Sequence, residues 1–254
     1  MIRPLRTDLA VKTDMAIPKI LHYCWFGGGE CPKISKKCFK SWAKYFKDYR
    51  IIRWDESNFD CKCIPYVEQA YNAKKFMYVS DYARLCALYE YGGIYFDVDC
   101  KVLKSFAPLM DDYAFTGYGG DNREIASCTL AFEKKDPFIK ECIDSYQNES
   151  FICSDGEYNT LSINQRMTNI LISHGFEPNG KEQTVCNVKI YPMTYFCPLS
   201  MLPDTVKDCK SKDTYSMTIW TNEELLRERS LPVRIAHKTG LNLVKRKILE
   251  VIKK

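Results

Sequence analysis

The chain has 254 residues, 46% of them hydrophobic and 27% charged, with a net charge of +5. That is enough apolar material to build the core of one α/β domain of generous size. So mild a positive charge gives no reason to expect a nucleic-acid partner, yet it leaves an anionic ligand or an anionic membrane surface open. Thirteen cysteines would suit a disulfide scaffold, but they are odd in number and scattered singly, with only Cys61 and Cys63 close together. Free thiols in a reducing cytoplasm fit that spacing better. His22, His174 and His237 lie far apart and give no zinc-ligand spacing. The first fourteen residues hold no apolar run of signal-peptide length, and no segment reaches a transmembrane span. A cytoplasmic protein is therefore expected.

In chain order, the expected organisation is an N-terminal extension over 1–15, one domain over 16–236 and a basic helix over 237–254. "IPKILHYCWFGG" (17–28) predicts a buried first strand running into a glycine loop. Ile34, Cys38, Trp42 and Phe46 have helical spacing, and "YRIIRW" (49–54) predicts a second strand. Residues 65–76 predict a helix opened by Pro65, a residue favoured at the first helical position. Residues 79–93 predict another, with Ser80 as candidate N-cap and a stop at Gly92-Gly93. Strands follow over 94–103, 113–118, 126–133 and 188–198, with helices over 136–147 and 161–176. Strands alternating with helices predict a single Rossmann-like α/β domain on a mainly parallel sheet. At the end of the chain, Leu241, Val244, Ile248 and Ile252 form one helical stripe among lysines and an arginine. It reads either as a terminal helix packed on the domain or as a basic amphipathic anchor to an anionic membrane surface.

The chemistry concentrates in "SDYARLCALYEYGGIYFDVDC" (80–100). In a strand, Tyr95, Asp97 and Asp99 share one face and Phe96 and Val98 the other. Either Asp97 and Asp99 are the first wet residues of a strand leaving the core, or a divalent cation sits between them. Mg²⁺ or Mn²⁺ is commonly held by one or two carboxylates plus substrate phosphate oxygens. Asp81 and Arg84, three apart, share a helix face. They are either a surface ion pair or part of the same site. A helix packed antiparallel to the 94–103 strand would bring its first turn to the strand's carboxyl end, where open α/β sheets bind ligands.

The block "AKKFMYVSDYARLCALYEYGGIYFDVDCKVLK", with "IPKILHYCWFGG" and "YRIIRWDESNF" before it and "IYPMTYFCP" after it, resembles glycosyltransferase family 32. This is the DxD sugar-transferase group that includes capsular polysaccharide enzymes. In spacing it is also similar to the clostridial glucosylating toxins. The resemblance implies a GT-A fold, a UDP- or GDP-linked sugar donor, a divalent metal (usually Mn²⁺), and transfer to a glycan or lipid-linked acceptor with retention of configuration. Position by position, it implies Asp99 as direct metal ligand and Asp97 on the ribose and the metal. Asp81 and Arg84 would hold the sugar hydroxyls, and Tyr95 would line the same pocket. Trp25 is placed either to stack on the nucleotide base or to pack in the core. His22 reads as a satisfied strand histidine rather than a base.

Two features cut against this resemblance or compete with it. After Tyr215 the family's histidines and Ser-Trp pair are not found; Thr218 stands about where a histidine is expected, and Trp220 or the distant His237 would have to substitute. A nucleotide-sugar-binding domain without turnover is therefore an alternative. "FDVD" also resembles the first motif of haloacid-dehalogenase-like phosphatases. There, however, Cys100 and Lys101 replace the usual Gly and Thr or Val, and Ile125 stands where a metal-holding Asp belongs.

Overall fold

A computed structural model describes residues 17–119, 122–202 and 205–219. The expected 1–15 extension, Trp220, His237 and the basic 237–254 segment lie outside the described residues.

The chain opens as β1 (Ile20–Cys24), α1 (Ser35–Tyr45), β2 (Arg50–Trp54), α2 (Pro65–Asn72), α3 (Phe76–Tyr91) and β3 (Gly93–Phe96). Next come β4 (Cys100–Val102), β5 (Ala114–Tyr118), β6 (Ile125–Phe132), α4 (Pro137–Asp144) and α5 (Ile163–Ser173). The described part ends with β7 (Gln183–Val185), β8 (Val188–Tyr191), β9 (Leu199–Leu202), β10 (Thr205–Asp208) and β11 (Ser216–Thr218). A seven-stranded sheet has the order β2-β1-β3-β6-β5-β8-β7. Strands β1, β2, β3, β5 and β8 point one way, and β6 and β7 the other. The fold is thus α/β with a mainly parallel central sheet, interrupted by an antiparallel β6 at its centre.

The order β2-β1-β3 fixes where a ligand can bind. From β1 the chain crosses through α1 to β2 on one side, then returns over β1 through α2 and α3 to β3 on the other. That reversal makes β1 and β3 a topological switch point, which leaves a crevice beyond their carboxyl ends. The two faces are covered separately. Val79, Leu85 and Leu88 of α3, with Ile139 of α4 and Met167 of α5, pack against Tyr95 and Leu130 on one face. Cys38 and Trp42 of α1 pack against Leu21, Ile94, Phe96 and Cys100 on the other.

Several local expectations are corrected. The 65–76 helix ends early, because Lys74 takes a left-handed backbone (φ 57°) that separates α2 from α3. As a result α3 begins at Phe76, and Ser80 is an interior residue rather than an N-cap. Its hydroxyl donates to the Phe76 carbonyl at 3.0 Å, the back-bond that a mid-helix serine makes. The 94–103 strand is two pieces: β3 ends at Phe96, 97–99 form a turn, and β4 pairs with β11 in a separate two-stranded sheet. The alternation argument therefore does not extend to Asp99. The predicted 188–198 strand is β8 alone followed by turns. Pro65 does open α2, and all thirteen cysteines are free.

The glycine pair between α3 and β3 is required by geometry. Gly92 and Gly93 both have positive φ (61° and 107°). A Cβ on Gly93 would lie 2.4 Å from the Ile20 carbonyl oxygen. Only glycine lets the chain reverse this tightly against β1, and the reversal sets α3 antiparallel to β3.

Candidate active site

The reversal carries the first half of α3 to the carboxyl end of β3. Arg84 is buried there and is the hub of a charged chain. Its Nη2 donates to Asp81 Oδ1 at 2.7 Å, and its Nη1 lies 3.2 Å from Asp97 Oδ1. Nη1 also donates to the carbonyl and the hydroxyl of Ser127 on β6, each at 3.1 Å, and Nε donates to the Ser80 carbonyl at 3.3 Å. The guanidinium sits 4.6 Å over the Tyr95 ring, within cation–π range. Every edge of the fork is occupied, so its orientation is fixed before any ligand arrives.

The carboxylates differ in setting. Asp81 is 5% exposed. Burial pushes its carboxyl up to about 6, opposed by Arg84, with Asp97 pushing the same way as burial and the Ile163 N–H at the start of α5 opposing it. Asp97 is half-buried; Tyr95 donates to its Oδ1 at 3.0 Å. Tyr95 and Arg84 thus both engage Oδ1. The turn is pinned by its backbone: Asp97 N–H donates to Cys128 O at 3.2 Å and Cys100 N–H to Asp97 O at 2.8 Å. The Asp99 carbonyl accepts from Ile219 N–H at 2.8 Å.

These groups line a cleft of about 640 Å³ with residues from the ends of β1 and β3, from α3 and from the start of α5. Asp81, Arg84, Tyr95, Asp97, Asp99 and Trp25, the residues singled out in the sequence, all reach it. Trp25 is in neither core cluster; its Nε1 donates to Gly29 O at 2.8 Å, which holds the half-buried ring on the cleft wall. Ser127, Ser162 and Asn164 also line the cleft and were not foreseen. Asn164 Oδ1 accepts from Ser127 N–H at 2.9 Å, which leaves its amide N–H groups as donors. The detectable signal was the Ser162–Gln165 capping box that starts α5. It marks a helix start, but nothing in it reveals that this start faces the cleft.

His22 lies outside this chemistry. It is fully buried, and Trp54 Nε1–H donates to its Nδ1 at 3.0 Å, so the ring proton is on Nε2 and donates to Gly92 O at 2.8 Å. Burial lowers its pKa to about 4. An unfolded histidine takes a proton near pH 6.5 while the folded one stays neutral to about 4. His22 therefore supports stability above about 6.5 and loses that support as pH falls toward 4, by up to about 3 kcal/mol. Asp81, with its raised pKa, slopes the other way over much of that window. The expected result is accordingly a difference: between pH 7 and 4.5, wild type loses more urea resistance than His22→Gln. Equal losses would contradict this role.

Thr218, the position compared with a family histidine, is 4% exposed, with Oγ1 3.7 Å from Cys197 Sγ. It pairs with Cys100 in β11–β4, so the chain passes beside the Asp97–Asp99 turn, but the threonine itself faces inward.

Could these residues hold a divalent cation? Among the described residues no group of three or more His, Cys, Asp or Glu side chains forms a ready-made metal site. Asp97 and Asp99 supply carboxylate oxygen only, on a turn at the wall of an open cleft. That donor set fits Mg²⁺ or Mn²⁺ completed by ligand oxygens and water.

Residues 32–116 match a family model described as "Glycosyltransferase sugar-binding region containing DXD motif", and Asp97–Asp99 lie inside the matched stretch. The chain is 30% identical over 128 residues to an uncharacterized protein of Arabidopsis thaliana, covering 44% of this chain and 20% of that one. It is 29% identical over 144 residues to inositol phosphoceramide mannosyltransferase 3 of Schizosaccharomyces pombe, covering 54% of this chain and 39% of that protein. The chain thus spans well under half the length of the curated relatives it matches. Among solved structures, the PaToxG glycosyltransferase matches at 21% identity and TM-score 0.48, covering 62% of this chain and 69% of that one. The family match runs from before α1 to Thr116 and takes in the cleft residues of α3, of β3 and of the Asp97–Asp99 turn.

Proposed function

We propose that the cleft binds a nucleotide-diphosphate sugar, UDP- or GDP-linked, with a divalent cation, and transfers the sugar to a hydroxyl of a glycan or lipid-linked acceptor. The observation that carries the reading is the Asp81–Arg84–Asp97 chain meeting Asp99 on one wall of a switch-point cleft. Asp97 and Asp99 would hold Mn²⁺ or Mg²⁺. When bound, the cation supplies charge for the leaving diphosphate as the sugar–phosphate bond breaks. Arg84 keeps Asp97 oriented through Oδ1, which leaves the other carboxylate oxygen for the cation. Asp81 and the free amide of Asn164 offer an acceptor and donors to sugar hydroxyls, and Trp25 offers an aromatic wall for the base. The acceptor's hydroxyl oxygen bonds to the anomeric carbon, its proton leaves with the nucleoside diphosphate or to water, and the new bond keeps the donor's configuration.

Assignment to glycosyltransferase family 32, with a role in capsular or other surface polysaccharide synthesis, rests on the sequence resemblance, as does motif kinship with the glucosylating toxins. The S. pombe relative, named as an inositol phosphoceramide mannosyltransferase, makes a lipid-linked acceptor at a membrane the version we favour. A cytoplasmic enzyme held at the inner face of the membrane, with the 237–254 segment as one contact, completes the proposal. A binding domain without turnover is the second reading, favoured by the inward-facing Thr218.

The test is nucleotide release from a panel of UDP- and GDP-sugars with Mn²⁺, Mg²⁺ or EDTA. Metal-dependent release from at least one donor is expected. Metal-dependent donor binding with no release, even with acceptors present, would favour the second reading, and aryl-phosphate hydrolysis alone would sink the transferase.

A further inference from the structure

We propose that the exposed face of α1 is a docking surface for an anionic membrane, separate from the basic segment at the end of the chain. α1 buries Ser35, Cys38, Ser41 and Trp42 and exposes Lys36, Lys37, Lys40 and Lys44. At about 100° per residue these four lysines fall within an arc of about 100°. Within the helix Lys36, Lys37, Lys40 and Lys44 make one stripe about 12 Å long, with exposed Lys33 and Lys47 in the turns at its two ends. No acidic residue occurs between Lys33 and Lys47. Asp48, just beyond, is bonded to Lys19. Among the described residues none of the six lysines has an ion-pair partner.

Like charges three and four apart repel and weaken a helix. A solvated face ordinarily intersperses both signs, so an uncompensated row has a cost within the fold that an external anion offsets. Lysine stems carry compact point charges without the planar fork of arginine. No large exposed aromatic interleaves with them as a base-stacking platform would require. A diffuse sheet of anionic headgroups suits such a stripe better than a nucleic acid. Half-buried Phe39 and Tyr45 pack back onto the core, and Lys44 Nζ lies 4.8 Å over the Tyr45 ring, so the stripe would meet headgroups by charge and not by insertion. α1 follows the Trp25–Gly29 loop on the cleft wall, so a bilayer lying along α1 would border the cleft mouth. That last consequence for a lipid-linked acceptor rests on the proposed function; the docking surface does not.

The experiment is co-sedimentation of the full chain with vesicles of phosphatidylcholine, with and without phosphatidylglycerol, at low and at physiological salt. Three proteins are compared: wild type, the stripe variant K36Q/K40Q/K44Q, and a charge-matched control K62Q/K134Q/K181Q whose changes are exposed and off α1. Circular dichroism confirms that each is folded. Wild type is expected to bind only the anionic vesicles, less at higher salt. The stripe variant should lose about a hundredfold in partitioning at low salt, while the control stays close to wild type. Three results would overturn the proposal: no vesicle binding by wild type, equal loss in both variants (total charge alone), or a stripe variant that binds like wild type (the chain's end alone). Stripe-dependent binding of polyuridylate RNA without vesicle binding would assign the stripe to nucleic acid instead.

Discussion

In Asp99→Asn, sugar transfer falls by about a hundredfold to a thousandfold, while the circular dichroism spectrum and thermal midpoint stay close to wild type. The size of the loss follows from removing one of two carboxylates that hold the charge-stabilising cation, the order expected when a single such group is lost. The fold should tolerate the change because the turn is held through backbone groups: Ile219 N–H on the Asp99 carbonyl and Cys100 N–H on the Asp97 carbonyl. Asparagine keeps the shape and hydrogen-bonding capacity but not the charge. Wild-type turnover in this variant would remove Asp99 from the site.

Arg84→Met should show the opposite balance, with a large loss of stability as well as function. It leaves Asp81 buried without its cation and releases Asp97 from one of its two contacts, and removing one partner of a buried ion pair costs about 3 kcal/mol or more. Ser127 also loses a donor to its carbonyl and its hydroxyl. Asp81 can relieve part of this by taking up a proton, so the deficit in a urea titration should be smaller at pH 5 than at pH 8. Donor binding should fall in parallel at both pH values, because Asp97 is no longer oriented. A variant as stable as wild type, with unchanged donor affinity, would show that the Asp81–Arg84–Asp97 chain is not the frame of the site.

Much of this site could be read from residue order, for reasons particular to each element. Asp81 and Arg84 were legible because helix periodicity alone places them on one face, and Gly92-Gly93 because a helix running into a strand through two glycines signals a tight reversal. Together these gave the antiparallel packing of α3 on β3 and so the meeting of Arg84 with Asp97. The break after Phe96 was not legible. The apolar alternation of Tyr95 to Val98 continues smoothly through a turn that only the pairing of β4 with β11 creates. The start of α3 was misplaced at Ser80 because a serine before an apolar run looks like a cap, whereas the left-handed residue that ends α2 is Lys74, a type with no preference for that conformation. Ser127 and Asn164 were invisible for a different reason. They come from a central antiparallel strand and a distant helix start, and only the crossing of β6 beside β3 brings them to the same wall.

The basic row on α1 shows the converse case. Its lysines stand in plain view in the sequence, yet they become a surface only once Cys38 and Trp42 are seen to face the core and fix which side is left to solvent.

The central claim is that Asp97 and Asp99 bind a nucleoside diphosphate through a divalent cation in the switch-point cleft. Isothermal titration of UDP and GDP into the protein, with Mn²⁺ and with EDTA, tests it most directly, alongside the double variant Asp97→Asn/Asp99→Asn. At least one nucleotide should bind with Mn²⁺, weaken by tenfold or more in EDTA (about 1.4 kcal/mol), and show no Mn²⁺ dependence in the double variant. Nucleotide binding of equal strength with and without the metal, or undiminished in the double variant, would contradict it.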